Sequence, residues 1–298
     1  MPQVAVNGVE LTWERLGRSE DPAVLLIMGF SMQMTAWPTE FCDALVAAGL
    51  QVIRFDNRDI GLSSRLGHLG RPDVQRLAAA RTFGLPVRSP YGIIDMANDA
   101  AALLTEIGVD RAHIVGASMG GMIAQHFAHA HPQRTLSLTS IMSTTSQLRY
   151  AFPKWSLMKL MLAPAPAPNL EARIAYGLEF WRAVGSPGDR ASDAELIADI
   201  RSWFERSPDL SGRSRQLAAV IAERSRVRLL GRIDAPALVV HGTDDPLIPC
   251  AAGRATARAL QRAKFLPLDG MGHDLRPRYT EIIARELTDL ARVCRDAG

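Results

Sequence analysis

Gly116-Ala-Ser118-Met-Gly120 is the stretch whose residue types and spacing point most directly to chemistry. It follows the apolar run His113-Ile-Val115 and precedes residues with helical spacing, so the serine falls on a sharp strand-to-helix turn. Such a turn strains the serine backbone and projects Oγ from the sheet edge. Glycines flank it because strand and helix pass too close for side chains. The start of the following helix adds backbone N–H groups and a positive dipole end. A serine hydroxyl attacks a carbonyl well only when a base takes its proton and a third group orients that base.

A serine presented this way is followed in chain order by the acid and then the histidine. Beyond the helix after Ser118 and its end, two histidines remain, His241 and His273. His273 closes the loop Gly270-Met-Gly-His273 after an apolar run, where its ring can reach Oγ, and is the expected base. The acid should lie between Ser118 and His273, just past a strand. His241-Gly-Thr-Asp244-Asp245-Pro-Leu-Ile-Pro249 meets that condition with two carboxylates, and spacing does not choose between them. Acyl transfer also needs two N–H donors for the oxygen that becomes negative. The N–H of Met119, next after the serine, is one. Met28-Gly29-Phe30 follows an early apolar run and offers the N–H of Phe30 as the other.

The elements that must hold these residues can be read from the pattern. Residues 3–6 and 9–16 flank Asn7-Gly8, a hairpin signal. The continuous apolar run 23–28 and the strand-like stretches 51–55, 113–115, 136–142, 237–240 and 263–268 suit the strands of a buried sheet. Helical spacing at 39–48, 91–107, 121–131 and 280–293 alternates with them. Alternation of this kind predicts an α/β architecture, a mostly parallel central sheet with helices on both faces. Residues 143–225 carry helical stretches, the Pro-rich piece Ala163-Pro-Ala-Pro-Ala-Pro168 and no strong strand signal. The expected organisation is therefore a core over 1–142 and 226–298, interrupted by a helical insert over 143–225. Residues 66–90 read as a long irregular connection.

Composition narrows the classes. The chain has 298 residues, 47% hydrophobic and 22% charged, as an ordinary globular domain with one large core would. Net charge is only +3, and the basic residues are scattered among acids rather than gathered in a stripe, which argues against nucleic acid as a partner. No apolar run reaches the roughly 18 residues of a membrane span. The N-terminus lacks the pattern of a signal peptide. Three cysteines, Cys42, Cys250 and Cys294, match no metal motif and favour a reducing cytoplasm over a disulfide framework.

These residues together resemble the α/β-hydrolase superfamily across essentially the whole chain. Gly-Ala-Ser118-Met-Gly-Gly is similar to the elbow of its serine esterases and cofactor-free perhydrolases. Gly242-Thr-Asp244-Asp245-Pro-Leu-Ile-Pro249 resembles its acid motif, a likeness that puts the acid on Asp245. Gly-Met-Gly-His273 resembles its histidine loop. Asp56-Asn-Arg58-Asp-Ile-Gly61-Leu-Ser63 resembles its D-x-R-G-x-G-x-S segment, with Asp59 where glycine is usual. With Trp37-Pro38 nearby, that form is similar to the aclacinomycin methylesterase type. Asp56 and Arg58 are read as scaffold for the loops. Met28-Gly29 departs from the His-Gly that commonly precedes the oxyanion donor. Ser118 sets the chain apart from relatives that need aspartate there, the haloalkane dehalogenases and epoxide hydrolases.

The resemblance implies an α/β-hydrolase fold with residues 143–225 as its cap. It implies hydrolysis of a small-molecule carboxylic ester through an acyl-enzyme on Ser118. His273 and Asp245 complete the triad, Phe30 and Met119 hold the oxyanion, and no metal or organic cofactor takes part. Trp155, Tyr176, Phe180, Trp181, Trp203, Phe204, Met158 and Met161 would suit an apolar or aromatic pocket in the cap, although for any single one of them cap core is the favoured reading. Residues 152–162, with Lys154 and Lys159, read as a cap helix in preference to an interfacial amphipathic one. The same triad also serves carbon–carbon bond hydrolases and some lyases, and a non-catalytic receptor on this fold is a third reading. The oligomeric state is not legible.

Overall fold

A computed structural model describes residues 1–150, 153 and 155–296. Of the segment expected as a cap helix, Phe152 and Lys154 lie outside the described residues. Eight strands form one sheet: β1 Gln3–Val6, β2 Val9–Leu16, β3 Ala23–Ile27, β4 Gln51–Phe55, β5 Ala112–Ala117, β6 Thr135–Ile141, β7 Ala237–Gly242 and β8 Ala263–Leu268. Their spatial order is β1-β2-β4-β3-β5-β6-β7-β8. The β1/β2 and β2/β4 pairs are antiparallel, and every pairing from β4 to β8 is parallel.

Strands β3, β5 and β7 are buried at every position, as the apolar run and the strand-like stretches there predicted. The two-residue alternation of a strand then decides which layer each side chain joins. Leu25 and Ile27 pack with helices α3 (Ile93–Glu106) and α4 (Met119–Ala130) on one face. Val24 and Leu26 pack with α1 (Thr39–Ala47) and α11 (Pro277–Asp296) on the other. Helix α11 places Tyr279, Ile283, Leu287 and Ala291 inward at four-residue steps. Strand β3 lies between β4 and β5, so the chain steps outward from β3 to β4 and then crosses back past β3 to β5, reversing its direction across the sheet. In a parallel sheet that reversal opens a crevice beyond the carboxyl ends of the strands.

Between β6 and β7 come α5 (Trp155–Leu162), α6 (Leu170–Val184), α7 (Asp193–Arg206), α8 (Arg213–Ala222) and the short α9 (Val227–Leu230), with no strand among the described residues. Helix α10 (Cys250–Ala259) links β7 to β8. Caps mark the starts of α6 and α7: Asn169 accepts from the Ala172 N–H, and Ser192 exchanges bonds with Glu195.

The reading of 66–90 as irregular needs correction. Residues Val74–Thr82 form a helix, α2, capped by Asp73 accepting from the Arg76 N–H at 3.0 Å. Helix α2 packs on α8 yet has no fully buried residue, so it carries no apolar stripe to announce it. Its alanines supply helix propensity instead.

The insert helices reach the core through buried polar contacts. Arg215 on α8 forms a bidentate pair with Asp59, at 2.8 and 2.7 Å. Asp59 also accepts from the Tyr91 hydroxyl and the Leu66 N–H, both at 2.8 Å, and is fully buried. Its φ of +70° is the conformation in which glycine is usual. Asp59→Asn keeps the shape and tolerates that backbone but strands a buried guanidinium. We expect it to lower stability by about 3–5 kcal/mol, read as a drop in the urea midpoint at unchanged slope.

Candidate active site

Ser118 joins β5 to α4 with φ +56° and ψ −118°, a strained backbone for any residue other than glycine. A Cβ on Gly116 would lie 2.0 Å from the Gly120 carbonyl oxygen, and one on Gly120 equally close to that of Ile27. The close passage expected of the turn is therefore present. The Ser118 N–H donates to the Ile141 carbonyl at 2.9 Å, and the Ser143 hydroxyl donates to the Ser118 carbonyl at 2.7 Å. Both bonds hold the turn against β6 and the loop after it.

His273 and Asp245 arrive from the loops after β8 and β7. His273 Nε2 lies 3.0 Å from Ser118 Oγ, and Nδ1 lies 2.7 Å from Asp245 Oδ2. A carboxylate only accepts, so Nδ1 carries the hydrogen and Nε2 offers a lone pair to the serine O–H. The other Asp245 oxygen accepts the N–H groups of Leu247 and Ile248, each at 2.9 Å. Of the two carboxylates left open by spacing, Asp245 is the one in contact. Asp244 turns away and accepts from the Thr243 hydroxyl and the Gly270 N–H.

Sequence reasoning gave His241 no part here, yet it touches the same carboxylate. Its Nε2–H donates to the Ile248 carbonyl at 2.9 Å and stands 3.4 Å from Asp245 Oδ2. Burial opposes ionisation of Asp245, but the charge and hydrogen bond of His273 and the bond from His241 prevail and hold the carboxyl well below its usual range. The position of His241 at the end of β7, four residues before Asp245, was the available signal.

The Gly29-Phe30 turn after β3 completes the site. A Cβ on Gly29 would lie 3.2 Å from Ser118 Cβ. Phe30, Ser118 and Met119 line one cavity of about 170 Å³, with Met122, Met158 and Ile248 among its apolar walls. The insert braces both loops. Gln216 on α8 accepts the Ser31 N–H at 2.9 Å and donates to the Arg58 carbonyl at 2.8 Å. The His273 N–H donates to the Val184 carbonyl at 2.7 Å, and the Gly272 N–H to the Ser186 hydroxyl at 2.8 Å. Asp56 and Arg58 stand outside the cavity, as scaffold would. Asp56 accepts the N–H groups of Met34 and Leu62, and Arg58 pairs with Asp99.

The aromatic residues divide. Met158 and Met161 reach the Ser118 cavity, while Tyr176, Phe180, Trp181, Trp203 and Phe204 line a neighbouring one. Trp155 lines neither and is exposed, with Lys159 over its ring, because it faces outward from α5. Among the described residues no helix is long and apolar enough to cross a membrane.

Residues 22–275 match the family model described as "alpha/beta hydrolase fold". Rhodomycin D methylesterase DnrP of Streptomyces peucetius is 30% identical over 300 aligned positions, covering 92% of this chain and 93% of that one. Among solved structures, the enol-lactonase from Burkholderia xenovorans LB400 superposes with a TM-score of 0.71 at 21% identity, covering 97% and 99% of the two chains. The 2-hydroxy-6-oxo-6-phenylhexa-2,4-dienoate hydrolase from Rhodococcus sp. strain RHA1 gives 0.72 at 19% identity, covering 97% of each. At such identities these two structures share the fold.

The low pKa of Asp245 couples the site to stability. The folded carboxyl gives up its proton more readily than the unfolded one, so its contribution is complete at neutral pH. It is lost as pH falls below the unfolded value of roughly 4. Urea unfolding of wild type and Asp245→Asn at pH 7 and pH 3.5 should show the wild type losing ground to the variant on acidification.

Proposed function

We propose that this chain, which belongs to the α/β-hydrolase fold family, is a serine esterase that cleaves a small-molecule carboxylic ester with an apolar or aromatic part. The observation that carries the reading is the unbroken line from Asp245 through His273 to Ser118 Oγ, with contacts of 2.7 and 3.0 Å. The name of the methylesterase relative supports an alcohol group as small as methyl. Helices α5 to α8 act as the cap over the site.

In the proposed reaction, His273 Nε2 takes the Ser118 proton as Oγ bonds to the ester carbonyl carbon. The carbonyl π electrons move onto oxygen, where the N–H groups of Phe30 and Met119 hold the charge. Asp245 keeps the ring in the tautomer that can accept and stabilises the imidazolium. The tetrahedral centre collapses, the bond to the alcohol oxygen breaks, and His273 Nε2 gives its proton to the departing alcohol. Water then attacks the acyl-enzyme with His273 again as base, and the acid leaves as Ser118 recovers its proton. The strain at Ser118 and the dipole of α4 are in place before substrate arrives, so little reorganisation accompanies the step.

The test is hydrolysis of p-nitrophenyl esters from acetate to decanoate. We expect wild type to turn them over and Ser118→Ala to lose at least about 10⁴-fold in kcat/KM. The double variant with His273→Ala should lose little more than either single one, because the two act as a unit. Wild-type inertness toward every ester sinks the esterase reading and brings forward the carbon–carbon hydrolase, lyase and receptor readings.

A further inference from the structure

Among the described residues five arginines are buried, and three are matched by acids: Arg58 by Asp99, Arg215 by Asp59 and Arg226 by Glu223. The other two, Arg173 on α6 and Arg213 on α8, are 8% and 6% exposed. Every hydrogen bond they make goes to a neutral oxygen. Arg173 Nη2 donates to the Pro208 carbonyl at 2.6 Å. Arg213 donates to the carbonyls of Ala163 and Met161 at 2.8 and 2.9 Å and to the Tyr176 hydroxyl at 2.7 Å. Nε and Nη1 of Arg173 are buried with no protein partner. Asp209, the acid with an influence on Arg173, is itself held by the Arg65 guanidinium and the Ser211 N–H.

A guanidinium does not surrender its proton to escape burial. Burial disfavours the charge on both, and at Arg173 the charge of Arg213 adds to that cost. A buried cation without a counter-charge is costly, so this pair is a standing demand for an anion.

What surrounds the pair says what kind of anion. Both line a cavity of about 130 Å³ walled by Tyr176, Phe180, Trp181, Trp203 and Phe204. Tyr176 and Phe180 are stacked at 6.4 Å with their planes 8° apart, so they offer flat faces. Phe30 and Met161 belong to this cavity and to that of Ser118. The Arg213 guanidinium lies 5.3 Å from the Phe30 ring, one side chain away from the candidate oxyanion donor.

We propose that this second cavity is a recognition subsite for a planar aromatic group bearing an acidic oxygen, a carboxylate or an ionised phenol, on the part of the ester remote from the bond that breaks. The inference rests on the esterase reading for its place in a substrate, but the binding it asserts does not need turnover. The aromatic walls supply stacking area. Arg173 Nε–H and Nη1–H, which no protein group takes, are charged donors from which an acidic oxygen can accept. A neutral ring of the same shape would fill the walls and leave the cations unmatched.

The experiment is calorimetric titration of the Ser118→Ala protein with naphthalene-2-carboxylate and with naphthalene-2-carboxamide, which share a ring system and differ in charge. The carboxylate should bind at least about tenfold more tightly, a preference worth about 1.4 kcal/mol. Adding Arg173→Gln should bring the ratio close to one while the carboxamide still binds, which shows that the cavity is intact. If that variant loses both ligands, Arg213→Gln carries the same comparison. Equal binding of the two ligands with both arginines present overturns the proposal, as does a preference that survives both substitutions. Wild-type activity on p-nitrophenyl esters is scored separately. Turnover without anion preference removes only the subsite, and anion preference without turnover removes only the esterase.

Discussion

The reversal of the chain at Ser118 constrains the rest of this molecule. Strand β5 must end, turn and start α4 within one residue, at a φ of +56° that costs on the order of 1–3 kcal/mol for a residue with a side chain. The turn survives because its surroundings leave it no alternative. Backbone from Gly120 and Ile27 fills the space where side chains at 116 and 120 would sit. Bonds to Ile141 and from Ser143 hold both sides of the serine peptide. Given that turn, Oγ can stand only at the carboxyl edge of the sheet, and everything else in the site has to come to that edge. Strand β3 brings Gly29 and Phe30, β7 brings Asp245, and β8 brings His273.

Strand ends place these groups but do not fix them, since the loops they end in have little secondary structure of their own. The fixing comes from helices that contribute no strand. Gln216 holds the Ser31 N–H, one residue beyond the candidate oxyanion donor. The end of α6 and the residues after it hold the backbone of Gly272 and His273. The segment between β6 and β7 is thus part of the positioning apparatus as well as a wall of the cavity. A change far from Ser118 along α8 can reach the site through one side chain.

The sequence made the core legible because each core feature has a local signature. Buried strands read as an unbroken apolar run at β3 and as strand-like stretches at β5 and β7. The elbow reads as glycines at fixed offsets from Ser118, and α11 as an apolar stripe. His273 followed from chain order and a glycine-rich loop. The choice of Asp245 over Asp244 did not follow from spacing, because adjacent residues on a turn point opposite ways and only the fold says which way is inward. Helix α2 was missed because nothing on it is fully buried, so it has no hydrophobic period to detect. The pairs Asp59–Arg215 and Gln216–Ser31 join residues more than 150 positions apart, and no local pattern announces such contacts. Arg173 was illegible for a related reason, and His241 showed no more than its place at the end of β7. Their importance lies in which partners they have or lack, and a sequence does not display partners.

The Asp59–Arg215 pair also bears on how this lineage can drift. Its acid occupies a backbone conformation that favours glycine, and its base lies on a helix 156 positions further along the chain. Loss of either member alone leaves a buried charge unmatched, whereas loss of both, with glycine and an apolar side chain in their places, leaves none. The two positions are therefore mutually entrenched: every single-step path away from the pair descends through a less stable protein before it can climb out. A surface contact would be free to come and go under mutation.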